Sequence, residues 1–158
     1  MPPATSCSRR AGAALLAALL LAAPASGGEP GQAVIDAAME NDDFTGCVEG
    51  DVRSAATGTV CIWAIAHARG LVEAHADDPA ALPYARIVEM LATKHAMLTL
   101  AAREMLEEAC AMVPDLRLDA IRLGAAMRNA GDDRMATALA RDRTQIEAVA
   151  FQCATTGR

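Results

Sequence analysis

Apolar residues along this chain recur at intervals of three and four, and no segment sustains the two-residue alternation of a half-buried strand. The pattern predicts helices. A short first helix runs from about Gly31 to Glu40, with Val34, Ile35, Ala38 and Met39 on its apolar side. Asn41-Asp42-Asp43 ends it, and an irregular stretch follows through Gly46, Cys47, Gly50 and Gly58. The second helix opens near Thr59 and sets Cys61, Ile65, Ala68 and Val72 on one face, until Asp77-Asp78-Pro79 stops it. A third, longer stretch runs from Ala81 or Pro83 to Cys110, with Leu91, Leu98, Ala102, Met105 and Ala109 in register and a weak point at Thr93-Lys94-His95. Pro114-Asp115 marks the next boundary, because the residue before proline avoids the helical region and aspartate favours a cap. A fourth helix from Leu116 to Asn129 carries Leu116, Ala120, Leu123 and Met127 along one stripe. Ala130-Gly131-Asp132-Asp133 supplies a turn and a cap for the last helix, on which Met135, Leu139, Ile146, Ala150 and Cys153 share a face. The expected fold is all-α, a small bundle of about four to five helices.

The N-terminus changes where that bundle is expected to work. Arg9 and Arg10, the apolar run from Ala11 to Ala23, and Ala23-Pro24-Ala25 ahead of Ser26 have the three parts of a secretory signal. The run is too short to span a bilayer, and no cysteine follows the cleavage site to take a lipid. Residues 1–25 are therefore read as a cleaved signal for the general secretory route. Residues 26–158 form one domain, expected in the periplasm, with enough length for a real core.

The mature segment holds four cysteines, Cys47, Cys61, Cys110 and Cys153, Cys7 leaving with the signal. An even number in a small exported chain implies two disulfides. Antiparallel packing of consecutive helices would gather Cys61, Cys110 and Cys153 at one pole, near Cys47. Of the three connectivities we favour Cys61–Cys110 with Cys47–Cys153; the geometry also permits the others.

Charge narrows the partners. The mature chain carries a net charge near −8, which disfavours nucleic acid and anionic membranes. Seven carboxylates lie between Glu29 and Asp51 with no lysine or arginine among them. Such a segment is either a solvated face or a surface that steers toward a basic partner, with Asp42, Asp43, Glu49 and Asp51 as the candidate contacts. Apolar Ile87, Met90 and Met97 lie off the main stripe of the third stretch, which suggests a homodimer through that region.

Catalytic signatures are missing from the sequence: no Gly-x-Ser-x-Gly, no His-Glu-x-x-His, no phosphate-binding glycine loop, no haem-attachment motif. We expect no enzyme and no cofactor. Asn41 to Gly46 imitates the start of a calcium loop, but Val52 stands where a bidentate glutamate is needed. His67, His75 and His95, with Met90 and Met97, could form a metal site in a helical bundle, although no pair has the i, i+4 spacing that would favour one.

The run Cys110-Ala111-Met112-Val113-Pro114, the spaced Leu116, Leu118 and Ile121, the Asn/Gly/Asp turn and the closing Phe151-Gln152-Cys153 resemble the second half of the Rap/Tai immunity proteins of type VI secretion. Cys47, thirteen residues and then Cys61 opening an apolar helix fit the first half. The chain departs from that pattern where Pro114 stands four residues after Cys110, and where the stretch from Cys61 to Cys110 is long. The resemblance implies a periplasmic immunity protein that binds and occludes a cell-wall amidase, and a dimeric state. The Cys61 to Cys110 separation, enclosing a helical core, also resembles that of small periplasmic acid-stress chaperones, a resemblance that implies a holdase as the alternative function.

Overall fold

The computed structural model describes residues 29–156, and the signal read from residues 1–25 lies outside them. Six helices follow one another: α1 Glu29–Met39, α2 Asp42–Glu49, α3 Ala55–Ala74, α4 Leu82–Ala102, α5 Leu106–Asn129 and α6 Asp133–Thr156. There is no strand among the described residues, so the all-α, disulfide-stapled expectation holds.

α4 is the central helix. Tyr84, Ala85, Ile87, Val88, Met90, Leu91, Ala92, Lys94, Met97 and Thr99 are all buried along it, and every other helix packs on it. Its polar triplet Thr93-Lys94-His95 does not break it. Pro83 sits in its first turn, where a missing N–H leaves no bond unmade, and Asp78 Oδ1 accepts the amides of Ala80 and Ala81 just ahead. Ile87, Met90 and Met97 are buried inside the monomer, so the face proposed for a homodimer is occupied by the chain itself.

α1 crosses α4 at Gly31. A Cβ there would lie 2.5 Å from the Tyr84 ring, so only glycine lets the backbone rest on the aromatic face. Val34, Ile35 and Ala38 fill the contact behind it.

Residues 41–49 correct the sequence reading. Asn41-Asp42-Asp43 does not simply end α1; it starts α2. Asn41 Oδ1 accepts the Phe44 amide at 2.9 Å, and Asp42 and Asp43 place negative charge on the first turn, both of which stabilise a helix N-terminus. Phe44 and Cys47, one turn apart, are buried. α3 likewise begins at Ala55, earlier than Thr59.

The long third stretch also divides. Arg103, Glu104 and Met105 form a turn in which the Met105 amide reaches back to the Leu100 carbonyl at 3.0 Å, the closing bond of a Schellman cap. Glu104 supplies the left-handed residue, with φ of 64°. A non-glycine there costs on the order of 1 kcal/mol, and neither glycine nor proline advertises the turn. Pro114, read as a boundary, lies inside α5 instead. It costs the Cys110 carbonyl its helical partner, yet Ala109, Val113 and Leu116 remain buried on either side and carry the helix through.

These two corrections explain the third. Because the chain turns at 103–105, Cys110 belongs to the start of α5 rather than the end of α4. α5 and α6 form an antiparallel hairpin closed by Cys110–Cys153, with Cα atoms 5.8 Å apart. Because residues 42–49 are helical, Cys47 lies against α3 and pairs with Cys61, with Cα atoms 4.7 Å apart. The favoured Cys61–Cys110 and Cys47–Cys153 pairing is thus replaced by two staples between neighbours. Two disulfides fit an oxidising compartment.

The loops closed span 14 and 43 residues, so chain entropy assigns about 3 kcal/mol to Cys47–Cys61 and about 4 kcal/mol to Cys110–Cys153. Non-reducing peptide mapping should recover these two linkages and no others. Denaturant unfolding should show Cys110→Ser/Cys153→Ser losing more stability than Cys47→Ser/Cys61→Ser; the reverse order would contradict the loop-closure account.

Candidate protein-binding face

α3 turns its small residues inward. Thr57, Cys61, Ala64 and Ala68 are buried at i, i+4, i+7 and i+11, which lets α3 approach α4 closely. Its outward side then consists of what remains: Ala55, Ala56, Thr59, Ile62, Trp63, Ala66 and Gly70, all exposed. Ile62 and Trp63 are 65 % and 61 % exposed. No charged residue occurs from Ser54 to Ala68. By length and composition α3 alone among the described helices is apolar enough to cross a membrane, and most of that apolar surface is not covered by the rest of the chain.

The borders of this face differ in charge. On one side lies α2, close enough that a Cβ on Gly46 would stand 3.1 Å from Val60 Cγ1. Asp42, Asp43 and Glu49 of α2 and Asp51 beyond it, the four acidic residues singled out from the sequence, are all exposed on the segment that leads into α3. On the other side Arg69 meets Glu89 of α4 at 3.2 Å, and Gly58 lies beside Thr99 and Arg103. Glu73 and Asp77 are exposed at the C-terminal end.

Trp63 and His67 stand one turn apart on α3, a spacing that would suit packing of one on the other. Trp63 points outward instead, and the helical phase contains the reason: two residues past inward Cys61 lies the opposite side of a helix.

The histidines do not converge. His67 lies partly buried on α3 with no protein partner for Nε2, His75 caps the C-terminus of α3, and His95 is on α4 with Nδ1 3.1 Å from the Leu91 carbonyl. Among the described residues no three metal-ligating side chains come together. The calcium-loop likeness of Asn41–Gly46 is absorbed by α2, whose cap occupies Asn41 Oδ1.

A second polar feature is enclosed. Lys94 is fully buried, and its ammonium donates to Asp142 Oδ1 and, at 2.9 Å, to Gln145 Oε1, joining α4 to α6. Burial raises the Asp142 carboxyl above its ordinary value although Lys94 pulls it down. Nearby, Tyr84 Oη donates to Asp132 Oδ2 at 2.9 Å, while Asp132 Oδ1 accepts the Met135 amide and caps α6. Lys94, Asp142, Tyr84 and Asp132 are all buried, whereas Gln145 is exposed.

No protein-family model, curated protein or solved structure matches this chain.

Removing one partner of a buried ion pair strands the other, at about 3–5 kcal/mol, whereas replacing both by apolar residues of similar size is near neutral. Lys94→Met and Asp142→Leu should each destabilise strongly in denaturant unfolding. The double variant should return to within about 1 kcal/mol of the parent. Additive losses would show that the two residues do not act as a pair.

Proposed function

We propose that this chain is a periplasmic binding protein that covers a partner protein with the outward face of α3, and that the partner is a cell-wall amidase delivered by type VI secretion. The observation that carries the binding role is the uncharged α3 face with Trp63 and Ile62 exposed at its centre. Leaving such a surface in water forfeits its burial, and tryptophan anchors in apolar patches dominate protein interfaces. The choice of an amidase rests on the resemblance of the cysteine framework and the last two helices to the Rap/Tai immunity proteins.

The mechanism is occlusion. The Cys47–Cys61 staple and a buried α4 keep α2 and α3 in place before binding, which reduces the ordering cost of association. The acidic residues of α2 form the rim. Charge at a rim accelerates encounter with a basic surface and is screened by salt, while the apolar centre sets dissociation.

The test uses the peptidoglycan amidase encoded beside this chain, with binding kinetics at two ionic strengths and an activity assay on purified cell wall. Trp63→Ala should weaken affinity by about 2 kcal/mol, roughly thirtyfold, mainly through dissociation. Reversing Asp42, Asp43, Glu49 and Asp51 to lysine should slow association and flatten its salt dependence. An unchanged association rate would remove α2 from the interface, an unchanged dissociation rate in Trp63→Ala would remove α3, and an uninhibited amidase would remove the immunity reading.

A further inference from the structure

We propose that Cys110–Cys153 is a thiol–disulfide exchange site, opened and closed in the folded protein by a dithiol, while Cys47–Cys61 is a permanent staple. The site lies at the open end of the α5–α6 hairpin and does not depend on the function proposed for the α3 face.

The two bonds differ in what surrounds them. Cys47 and Cys61 have no exposed surface, and Cys47 Sγ lies 3.7 Å from the Ala92 carbonyl oxygen of α4, so a reagent reaches that bond only after α2 or α3 has left the core. Exchange there requires unfolding. Cys110 and Cys153 are each partly exposed, with Glu107, Glu108 and Ala111 on one helix and Phe151, Gln152 and Ala154 on the other all open to solvent. A thiol needs contact with only one sulfur, so this bond is attackable from the folded state.

The turns that carry these sulfurs are the loosely held ones. Pro114 leaves the Cys110 carbonyl without its helical partner, and on α6 the last buried residue is Val149, one turn ahead of Cys153. Beyond it the final carbonyls of α6 have no intrahelical donor. Either sulfur can therefore turn toward a reagent while the core stays as it is. About two turns further in, Arg117 clasps Glu147 at 2.9 and 2.6 Å, and Val113, Leu116, Leu139 and Ile146 are buried, so the hairpin keeps its packing when the bond is cut. Only the end of α6, from Ala150 to Thr156, loses its tether.

Charge selects the sulfur that is attacked. A thiolate approaching Cys110 meets Glu107 and Glu108 just ahead of it in the helix, whereas no charged residue occurs from Ala148 to Gly157. Attack therefore falls on Cys153. The first thiol of the dithiol loses its proton and its sulfur bonds to Cys153 Sγ; the Cys110–Cys153 bond breaks, and Cys110 leaves with the electron pair and takes a proton from water. The second thiol then gives up its proton, attacks the first sulfur and expels Cys153 as a thiolate, which is protonated in turn. Two electrons and two protons pass to Cys110 and Cys153, and the dithiol becomes a disulfide. The reverse sequence restores the staple.

Dithiothreitol, a small dithiol, tests this on the purified oxidised protein under native conditions, with alkylation and peptide mapping at intervals. Cys110 and Cys153 should become labelled at least about tenfold faster than Cys47 and Cys61. Helical circular dichroism should persist through that first step, while amide exchange rises in residues 150–156 and α4 stays protected. Glutathione, a monothiol, should be trapped by acid quench on Cys153 at several times its level on Cys110. Pro114→Ala, which gives the Cys110 carbonyl back its donor, should slow reduction of Cys110–Cys153 severalfold and leave Cys47–Cys61 unchanged. The proposal is overturned if the two bonds are reduced together, if the helical signal is lost as Cys110–Cys153 opens, or if residues 150–156 stay as protected as before. Glutathione settling on Cys110, or Pro114→Ala reduced at the parental rate, also overturns it.

Discussion

A lysine in the middle of the central helix organises the bundle. Lys94 has no access to water, and an unpaired buried ammonium would cost more than a domain of this size can spare. α6 must therefore present an acceptor at one level along α4, and Asp142 with Gln145 does so. Arg141 and Arg143 flank Asp142, so sliding α6 by one residue would bring a second cation toward Lys94. Apolar packing alone tolerates small shifts of one helix along another; this pair does not. It contributes little net stability compared with an apolar replacement, and its effect is to single out one register.

The helical class was legible because the apolar period is helical throughout, and the inward positions of α1, α3 and α6 were read nearly as they stand. Val34, Ile35, Ala38, Cys61, Ala68, Leu139 and Ile146 all lie where the period puts them. What escaped were the junctions. Asn41-Asp42-Asp43 can close one helix or cap the next, and only the burial of Phe44 and Cys47 decides for the cap. The turn at Glu104 has no glycine to mark it, and Pro114 sits in a helix whose packed neighbours outweigh its missing bond. The favoured cysteine pairing failed because helix directions at those junctions were assigned from the wrong ends.

The candidate face was half legible. Exposure of Asp42, Asp43, Glu49 and Asp51 follows from their charge. The apolar part needed the phase of α3, since the same period that turns Cys61, Ala64 and Ala68 inward turns Ile62 and Trp63 to solvent. Small residues inward and large ones outward invert the usual arrangement, and hydrophobicity taken residue by residue hides the inversion.

The two staples pair the four cysteines of the described residues in sequence order, Cys47 with Cys61 and Cys110 with Cys153. In a polypeptide oxidised as it emerges N-terminus first, Cys47 meets Cys61 before Cys110 arrives, and Cys110 then has only Cys153 left to meet. The native connectivity is the one that order of arrival produces. Pairing in that order leaves fewer wrongly joined cysteines for an isomerase to undo than an interleaved pattern would.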